Sequence, residues 1–377
     1  MLLGFKTQIV VNNKQRTLLA KHAGVARDAY NWGLGLTHEI LNHNLSNPDS
    51  KLKFPTAIEF HKWLVAIRKV EKPWYYQVSK CAPQYALRQL REAWDRCFKK
   101  ISGVPNFKKK GKHDSFTLDG SIKIVGSNKI KVPIIGVLKT YEAIPQLVAI
   151  KSVTINRQAD RWFVSFKIET DIKPTSSNSI VGADLGIKSL CTLSTGEVIE
   201  GAKSDRKAQK KLARLQREVS RKVKGSSNRK KAITKLAKVH ARVSNIRKDT
   251  LHKLTSSLSK NHAVVGIENL NVSGMMKNHC LAKAIADMGF YEFRRQLEYK
   301  CKLYGSQLVI VDRWFPSSKT CSNCGYKKET LSLAERTFNC DLCSLSLDRD
   351  LNASINLRNA ASSVVSACGW GAADSPS

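Results

Sequence analysis

Cys321-Ser-Asn-Cys324 is followed, after fifteen intervening residues, by Cys340-Asp-Leu-Cys343 and then Ser344-Leu-Ser-Leu-Asp-Arg-Asp350-Leu-Asn-Ala353. Each Cys-x-x-Cys pair can bend so that two thiolates face one ion, and two pairs complete a tetrahedral set of four sulfurs. Four thiolates leave no open position for water, so Cys321, Cys324, Cys340 and Cys343 are expected to hold a structural zinc. The metal would hold together a ribbon too small for a core of its own. The other six cysteines, Cys81, Cys97, Cys191, Cys280, Cys301 and Cys368, are scattered. In a chain of this length they do not read as a disulfide framework, which points to a reducing compartment. Each is expected to be a small buried apolar side chain.

Outward from the ribbon, three acids close or adjoin apolar runs. Asp184 ends Ile180-Val-Gly-Ala, Glu268 ends Ala263-Val-Val-Gly-Ile, and Asp350 enters a helix just after the last cysteine pair. A carboxylate at the buried end of an apolar strand is costly unless it is paired or binds a metal. Any one of the three could be a helix cap or an ion-pair partner. Together they could hold two magnesium ions, the arrangement used for in-line attack on a phosphodiester. Gly186, just after Asp184, offers a place where another backbone or a phosphate could approach.

Charge narrows the partners. The 377 residues carry 64 Lys and Arg against 30 Asp and Glu, so the formal net charge is 64 − 30 = +34. Such an excess repels itself unless a polyanion neutralises it. Apolar residues make up 42% of the chain, enough to bury real cores. No apolar run approaches the roughly 18 residues of a membrane span. The start, Met1-Leu-Leu-Gly-Phe-Lys6, lacks the apolar stretch and cleavage site of a secretory signal. A cytoplasmic nucleic-acid-binding protein is the expectation.

Periodicity gives the organisation. Thr7 to Val11 reads as a strand, and Asn13 to about Lys100 as helical. Short strands with turn punctuation follow from Ser115 to Thr170. The simplest arrangement is a helical insert in a β-domain, closed by a polar linker at Lys173 to Asn178. Beyond it, strands alternate with helices, as in an α/β layer architecture. Lys203 to Lys248 holds eighteen Lys or Arg against Asp205 and Glu218. Leu212, Leu215, Val219 and Val223 repeat at helical spacing, as do Ile233, Leu236, Val239, Val243 and Ile246. Gly225-Ser-Ser-Asn228 separates the two sets, so a helical hairpin with one apolar and one cationic face is expected, its charge too lopsided for internal salt bridging. Leu281 to Tyr304 reads as one helix.

Arg313-Trp-Phe-Pro-Ser-Ser-Lys-Thr-Cys-Ser-Asn-Cys-Gly325, the second cysteine pair and Asp348-Arg-Asp-Leu-Asn-Ala353 together resemble the C-terminal signature of the TnpB (OrfB) family. Gly182-Ala-Asp-Leu-Gly-Ile187 and Gly266-Ile-Glu-Asn-Leu270 resemble the other acidic motifs of its RuvC-like nuclease domain. Arg27-Asp-Ala-Tyr-Asn31 and Pro105-Asn-Phe-Lys108 look like family landmarks upstream. Ser344 stands where glycine is common, and Ser354 where a second alanine is common.

The resemblance implies an insertion-sequence-encoded, RNA-guided DNA endonuclease related to the type V CRISPR effectors. Its partners would be a guide RNA from the transposon end and double-stranded target DNA, with one chain per RNA. The implied fold is α+β and multidomain: a wedge-like β-barrel (1–12 and 104–175), a helical recognition insert (13–103), an RNase H-like RuvC domain (176–315 and 347–368), a zinc ribbon (316–346) and a C-terminal tail (369–377). Asp184, Glu268 and Asp350 match the catalytic, magnesium-binding acids. Base pairing would supply most of the specificity, with the protein reading duplex shape and a short flanking motif. Ser79, Lys80 and Gln84 have side chains suited to base edges, and Gln84 could read adenine. Lys108 and Lys109 are expected to bind nucleic acid, Lys207, Lys210, Lys211 and Arg214 to contact its phosphates, and Trp74, Tyr75 and Tyr76 could stack on bases. A transposase or recombinase with the same triad, a guided DNA-binding repressor and a junction resolvase are the alternatives. An RNA partner counts against the first and an intact triad against the second, while the helical insert and ribbon are surplus to the third.

Overall fold

Leu2–Val10 forms strand β1, longer than its sequence pattern suggested, with more and less buried side chains alternating from Leu3 onward. In this computed structural model the described residues are 2–145, 150–169, 171–172, 174–332 and 334–367. Cys368 and the expected tail, 369–377, lie outside them. The chain divides into two units, Met1–Asp171 and Ile172–Ser377.

In the first unit, α1 (Asn13–Ser46) starts at a capping box in which Asn12 and Gln15 satisfy each other's backbone N–H groups. Next come α2 (Ala57–Trp63), a π-helical turn (Leu64–Arg68), α3 (Lys69–Glu71), a 3-10 turn (Pro73–Gln77) and α4 (Cys81–Phe98). Leu19 and Leu34 of α1 and Leu87, Leu90 and Trp94 of α4 belong to one buried core with Phe60 and Leu64. Six further strands follow: β2 (Ser115–Asp119), β3 (Lys123–Gly126), β4 (Lys129–Val132), β5 (Gly136–Thr140), β6 (Ser152–Gln158) and β7 (Arg161–Glu169). With β1 they make an antiparallel sheet in the order β2-β6-β7-β1-β5-β4-β3. The closed barrel expected from the resemblance is not found. Among the described residues β2 and β3 are the two ends of an open sheet, with no pairing between them. The short, largely exposed β3 and the lysines on its neighbour β4 give this edge little to recruit a partner strand with.

The second unit is built on a five-stranded sheet in the order β10-β9-β8-β11-β12. These are β8 (Ile180–Leu185), β9 (Cys191–Leu193), β10 (Val198–Ile199), β11 (Val264–Glu268) and β12 (Gln307–Val311). β8, β11 and β12 are parallel, and β9 is antiparallel to both its neighbours. Between β10 and β11 lie α5 (Ser204–Ser220) and α6 (Ser227–Asn261), with Gly225 in the turn, which is the expected hairpin. Its apolar stripe is only partly covered, since Val243 is buried while Val223, Ile233 and Ile246 are exposed. The single helix expected over Leu281 to Tyr304 is two. After α7 (Val272–Met275) come α8 (Ala282–Met288) and α9 (Phe290–Tyr304). They are broken at Gly289, whose φ of +75° no continuous helix contains. β13 (Thr337–Asn339) and β14 (Ser346–Asp348) form the ribbon's hairpin, and α10 (Arg349–Ala367) ends the described chain.

Strand alternation assigns the two faces of this sheet. Val181, Ala183, Val265 and Ile267 pack in a core with Leu251 and Leu258 of α6 and Phe293 and Leu297 of α9. Val264, two positions before Gly266, packs in the other core with Leu357, Ala361 and Val365 of α10. The residues at that same period on the α10 face are Gly182 and Asp184 on β8, and Gly266 and Glu268 on β11.

Among the described residues no helix is long and apolar enough to cross a membrane.

Candidate active site and metal centre

Gly182 and Gly266 are register partners on β8 and β11. A Cβ on Gly182 would lie 2.0 Å from the Ser354 carbonyl oxygen and 2.5 Å from the Arg358 nitrogen. A Cβ on Gly266 would lie 2.7 Å from the Leu357 carbonyl oxygen. The two glycines therefore form a trough in which the backbone of α10 rests directly on the sheet. Gly186, the glycine singled out from sequence, instead sits in a turn, where its Cβ would meet the Ser189 carbonyl at 3.1 Å. Two residues beyond each trough glycine stand Asp184 and Glu268, at the carboxyl ends of adjacent parallel strands. Asp350, in the first turn of α10, completes the set.

Asp184 carries the electrostatic strain of the site. Asp184 keeps some contact with solvent. Burial, then the charges of Asp350 and Glu268, push its carboxyl up to about 8 despite the opposing charge of Arg349. Burial also raises Glu268. Arg349 lies 3.5 Å from Asp350 and partly balances it. Asp348 does something different: its Oδ1 accepts the Asp350 N–H at 2.9 Å and the Leu351 N–H at 3.1 Å. It caps α10 and so fixes the backbone of its neighbour.

Among the described residues the one His, Cys, Asp or Glu group compact enough for its ligand atoms to lie within 4.8 Å of each other is Cys321, Cys324, Cys340 and Cys343. The carboxylates are more open. Cys321 Sγ lies 3.6 Å from Cys343 Sγ, and Cys324 Sγ 3.5 Å from Cys340 Sγ. Four sulfurs about 2.3 Å from one zinc stand about 3.8 Å apart, so this donor set fits a tetrahedral thiophilic ion. The Asn323 amide and the Leu345 backbone N–H draw Cys343 down to about 6. Cys324 is pushed up to about 12: the Tyr326 N–H works against this, but burial and the hydrogen bonds shared with the other three sulfurs outweigh it. Ser344 adopts φ +57° and Gly325 φ +77°, each just after the second cysteine of its pair. The serine thus takes the left-handed turn that glycine takes in the other knuckle, at some steric cost.

Sequence reasoning missed how the ribbon is tied to α10. Asn352, fully buried, accepts the Ser322 N–H at 2.9 Å and donates to the Thr320 carbonyl at 2.7 Å. One turn on, Asn356 donates to Ser317 and Thr320 carbonyls at 2.8 and 2.6 Å. The signal was available: two amides four residues apart on the buried face of a helix need partners.

The expected nucleic-acid residues are placed as follows. Lys207, Lys210, Lys211 and Arg214 are all exposed on α5. Asp287 of α8 anchors the start of that helix, accepting from the Ser204 hydroxyl and the Asp205 N–H. In the first unit Lys80 is exposed and Gln84 half-buried, while Ser79 is buried, its N–H bonded to His22 and its hydroxyl facing the Cys81 N–H. Lys109 is exposed, but Lys108 lays its ammonium 3.9 Å over the Tyr30 ring. Asn31 clasps the Lys108 backbone at both its carbonyl and its N–H. Asp28 meanwhile accepts from Arg68, Lys72 and Tyr75. The Arg27-to-Asn31 motif thus ties loops to α1. Tyr75 is the core member of its aromatic trio at 2% exposure, whereas Trp74 and Tyr76 are 39% and 67% exposed. Of the scattered cysteines, Cys81, Cys191 and Cys301 are buried, Cys97 is intermediate and Cys280 is exposed.

An acid set at the carboxyl edge of a mixed α/β sheet, together with a four-cysteine cluster able to hold a metal ion, marks an α+β protein with two candidate metal sites. Comparison with known proteins narrows it. The chain matches the OrfB_IS605 family, described as "Probable transposase", over residues 163–279, and the Cas12f1-like TNB domain over 290–357. A third match, a helix-turn-helix domain over 1–45, falls where the described residues form one strand and one 34-residue helix. The chain is 34% identical over 98% of its length to InsQ of Escherichia coli (strain K12), a proposed RNA-guided DNA endonuclease, and covers 94% of that protein. It is 42% identical to a proposed RNA-guided DNA endonuclease of Streptomyces pristinaespiralis, over 78% of this chain and 74% of the relative. Its fold is similar to that of the Cas12f1 chain in a complex with sgRNA and target DNA, with a TM-score of 0.56 at 15% identity, covering 93% of this chain and 84% of that one. This chain belongs to the TnpB (OrfB) family.

Proposed function

We propose that this chain is an RNA-guided DNA endonuclease carried by an insertion sequence, and that it hydrolyses phosphodiesters with divalent metal at Asp184, Glu268 and Asp350. The convergence of these acids on the α10 face, in a chain of this family, is the observation that carries the reading. Oxygen donors suit magnesium, and a bound cation would offset the burial and the neighbouring charges of Asp350 and Glu268 that raise the Asp184 carboxyl. Bound there, divalent metal supplies the charge that stabilises the attacking and leaving oxygens. The chain's own part is positioning. The glycine trough sets the distance of Asp350 from the strands, Asp348 fixes its backbone, and Arg349 screens the acids from one another. The mixed sheet with acids at its carboxyl edge supports assigning 176–315 and 347–368 to a RuvC-like domain.

Zinc is proposed for the four cysteines, with 316–346 as the ribbon. A wedge-like domain (1–12 and 104–175) and a helical recognition insert (13–103) are proposed upstream, with Lys80, Gln84 and Lys109 as contacts to target DNA. The α5–α6 surface is proposed to bind nucleic-acid phosphates, and guide RNA and target DNA are the partners. The family description also admits a transposase, and one defined RNA species co-purifying with the protein would favour the guided enzyme.

The test is substitution of each acid. Asp184→Ala, Glu268→Ala and Asp350→Ala should each abolish guided cleavage and leave guided DNA binding intact, while Asp348→Ala should be milder. Wild-type cleavage by any of the three would remove that residue from the triad.

A further inference from the structure

Glu268 is the last residue of β11, and the sheet holds it from one side only. On the β12 side the pairing runs on to Glu268 and Val311, whereas on the β8 side it stops at Ile267 and Ala183. Directly afterwards the chain turns, with the Leu270 N–H bonded back to the Glu268 carbonyl at 3.0 Å. A strand end of this kind frays unless something outside the ladder fixes it. Glu268 also lines a cavity of about 220 Å³ on the α9 side, with Leu185, Leu270, Phe290 and Arg294, so packing alone does not stop its movement.

What fixes it is the next residue. Side chains alternate along a strand, so with Glu268 facing α10, Asn269 faces α9. There Arg294 donates through Nη1 to Asn269 Oδ1 at 2.8 Å. The backbone of Arg294 is fixed by its neighbour Phe293, which is buried in one core with Val265 and Ile267 of β11. Its Nε donates to Glu298 Oε1 at 3.0 Å, one turn along α9. The Asn269 N–H donates to the Val311 carbonyl at 3.0 Å. Asn269 is thus tied through its backbone to β12 and through its side chain to α9. Among the described residues the guanidinium bonds to Asn269 and Glu298, and not to Glu268 itself.

We propose that Arg294 is a positioning residue for metal binding: by clasping Asn269 it pins the end of β11 and holds the Glu268 carboxylate where it can share a divalent cation with Asp184 and Asp350. It acts through the backbone of a neighbouring residue, as Asp348 does for Asp350. Groups that orient a metal ligand without touching the ion change the affinity for that ion. The inference rests on the nuclease reading above, and it adds a residue outside the acid set that governs how tightly the set binds its cation.

The test uses the full-length protein with the RNA with which it purifies, and manganese as the probe, its free concentration followed by electron paramagnetic resonance. A Glu268→Gln complex gives the manganese held by the RNA and by the rest of the chain. Arg294→Ala should weaken the remaining manganese binding by about 10-fold, the lower end of the range for such groups. It should raise the magnesium concentration for half-maximal cleavage by a similar factor, while guided DNA binding and the rate at saturating magnesium stay near wild type. Arg294→Lys, which keeps a cationic donor, should recover most of the loss. Asn269→Ala should match Arg294→Ala, and the double variant should be no worse than either, because each change removes the same bond. Three results overturn the proposal: wild-type manganese affinity in Arg294→Ala, a loss of guided DNA binding as large as the loss of manganese binding, or losses that add in the double variant. Failure of the nuclease reading would look different, since Glu268→Gln would then bind as much manganese as wild type and would still cleave.

Discussion

Asp184 carries opposing demands. Its place at the end of β8, beside Glu268 and Asp350, is what a cation requires, and without a cation it is what folding resists. With its carboxyl pushed up from 3.8 to about 8, the folded protein holds a proton there that the unfolded chain releases. A raised folded value means that stability is fully present below about pH 4 and is lost as pH rises toward about 8. Asparagine at this position does not titrate. In magnesium-free buffer, Asp184→Asn should therefore melt at a higher temperature than wild type, by a margin that widens from pH 4.5 to pH 8. Saturating magnesium should narrow the margin, since on the proposed reading it would stabilise the ionised wild-type site. On the proposed metal-binding role of Asp184 the same variant should also be inactive, which would set stability against catalysis at this residue. Thermal melts at three pH values decide it, and a margin that shrinks with pH would show the carboxyl is not held protonated.

At the scale of elements, the acid-bearing strands were legible because a carboxylate closing an apolar run is expensive and therefore conspicuous. The knuckles were legible because thiols in pairs at this spacing have few other uses. What joins these pieces was not. The glycine trough under α10 depends on the register that sets Gly182 beside Gly266, and register is a property of the sheet, not of either strand alone. The break at Gly289 was hidden because apolar spacing continues across it. Ile233 and Ile246 fitted the helical period and yet are exposed, since period alone does not say how much of a stripe a neighbour covers. The Asn352 and Asn356 clamp is the hidden joint with the clearest consequence. Substituting both by alanine leaves the Thr320 carbonyl and the Ser322 N–H without these partners, a cost of about 1–3 kcal/mol for each group left unsatisfied. The first knuckle should then loosen from α10 while all four sulfurs remain. Zinc content should stay at wild-type level, but zinc should be lost to a chelator several-fold faster. An unchanged release rate would mean that the knuckle is held by its metal alone.

For the whole molecule, a net charge of +34 repels itself unless a polyanion neutralises it, and the α5–α6 hairpin concentrates that charge. On the proposed reading its cations would supply affinity without sequence choice, because phosphate contacts position a nucleic acid and base contacts specify it. Lys207, Lys210, Lys211 and Arg214 lie within two turns of α5, and all four are exposed. The buried leucines of that helix, Leu212 and Leu215, lie on the opposite side of the division between core and solvent, so truncating the cations should leave packing intact. Removing one phosphate-binding side chain should flatten the dependence of log affinity on log salt by about 0.7 to 0.9. Replacing all four by alanine should weaken nucleic-acid binding at fixed salt and reduce the slope by up to about three units. The preferred target-adjacent motif should stay the same. Titrations at four or five salt concentrations give the slope, and a library of flanking sequences gives the motif. An unchanged slope would mean that this charged face meets only solvent, and an altered motif would mean that it reads bases.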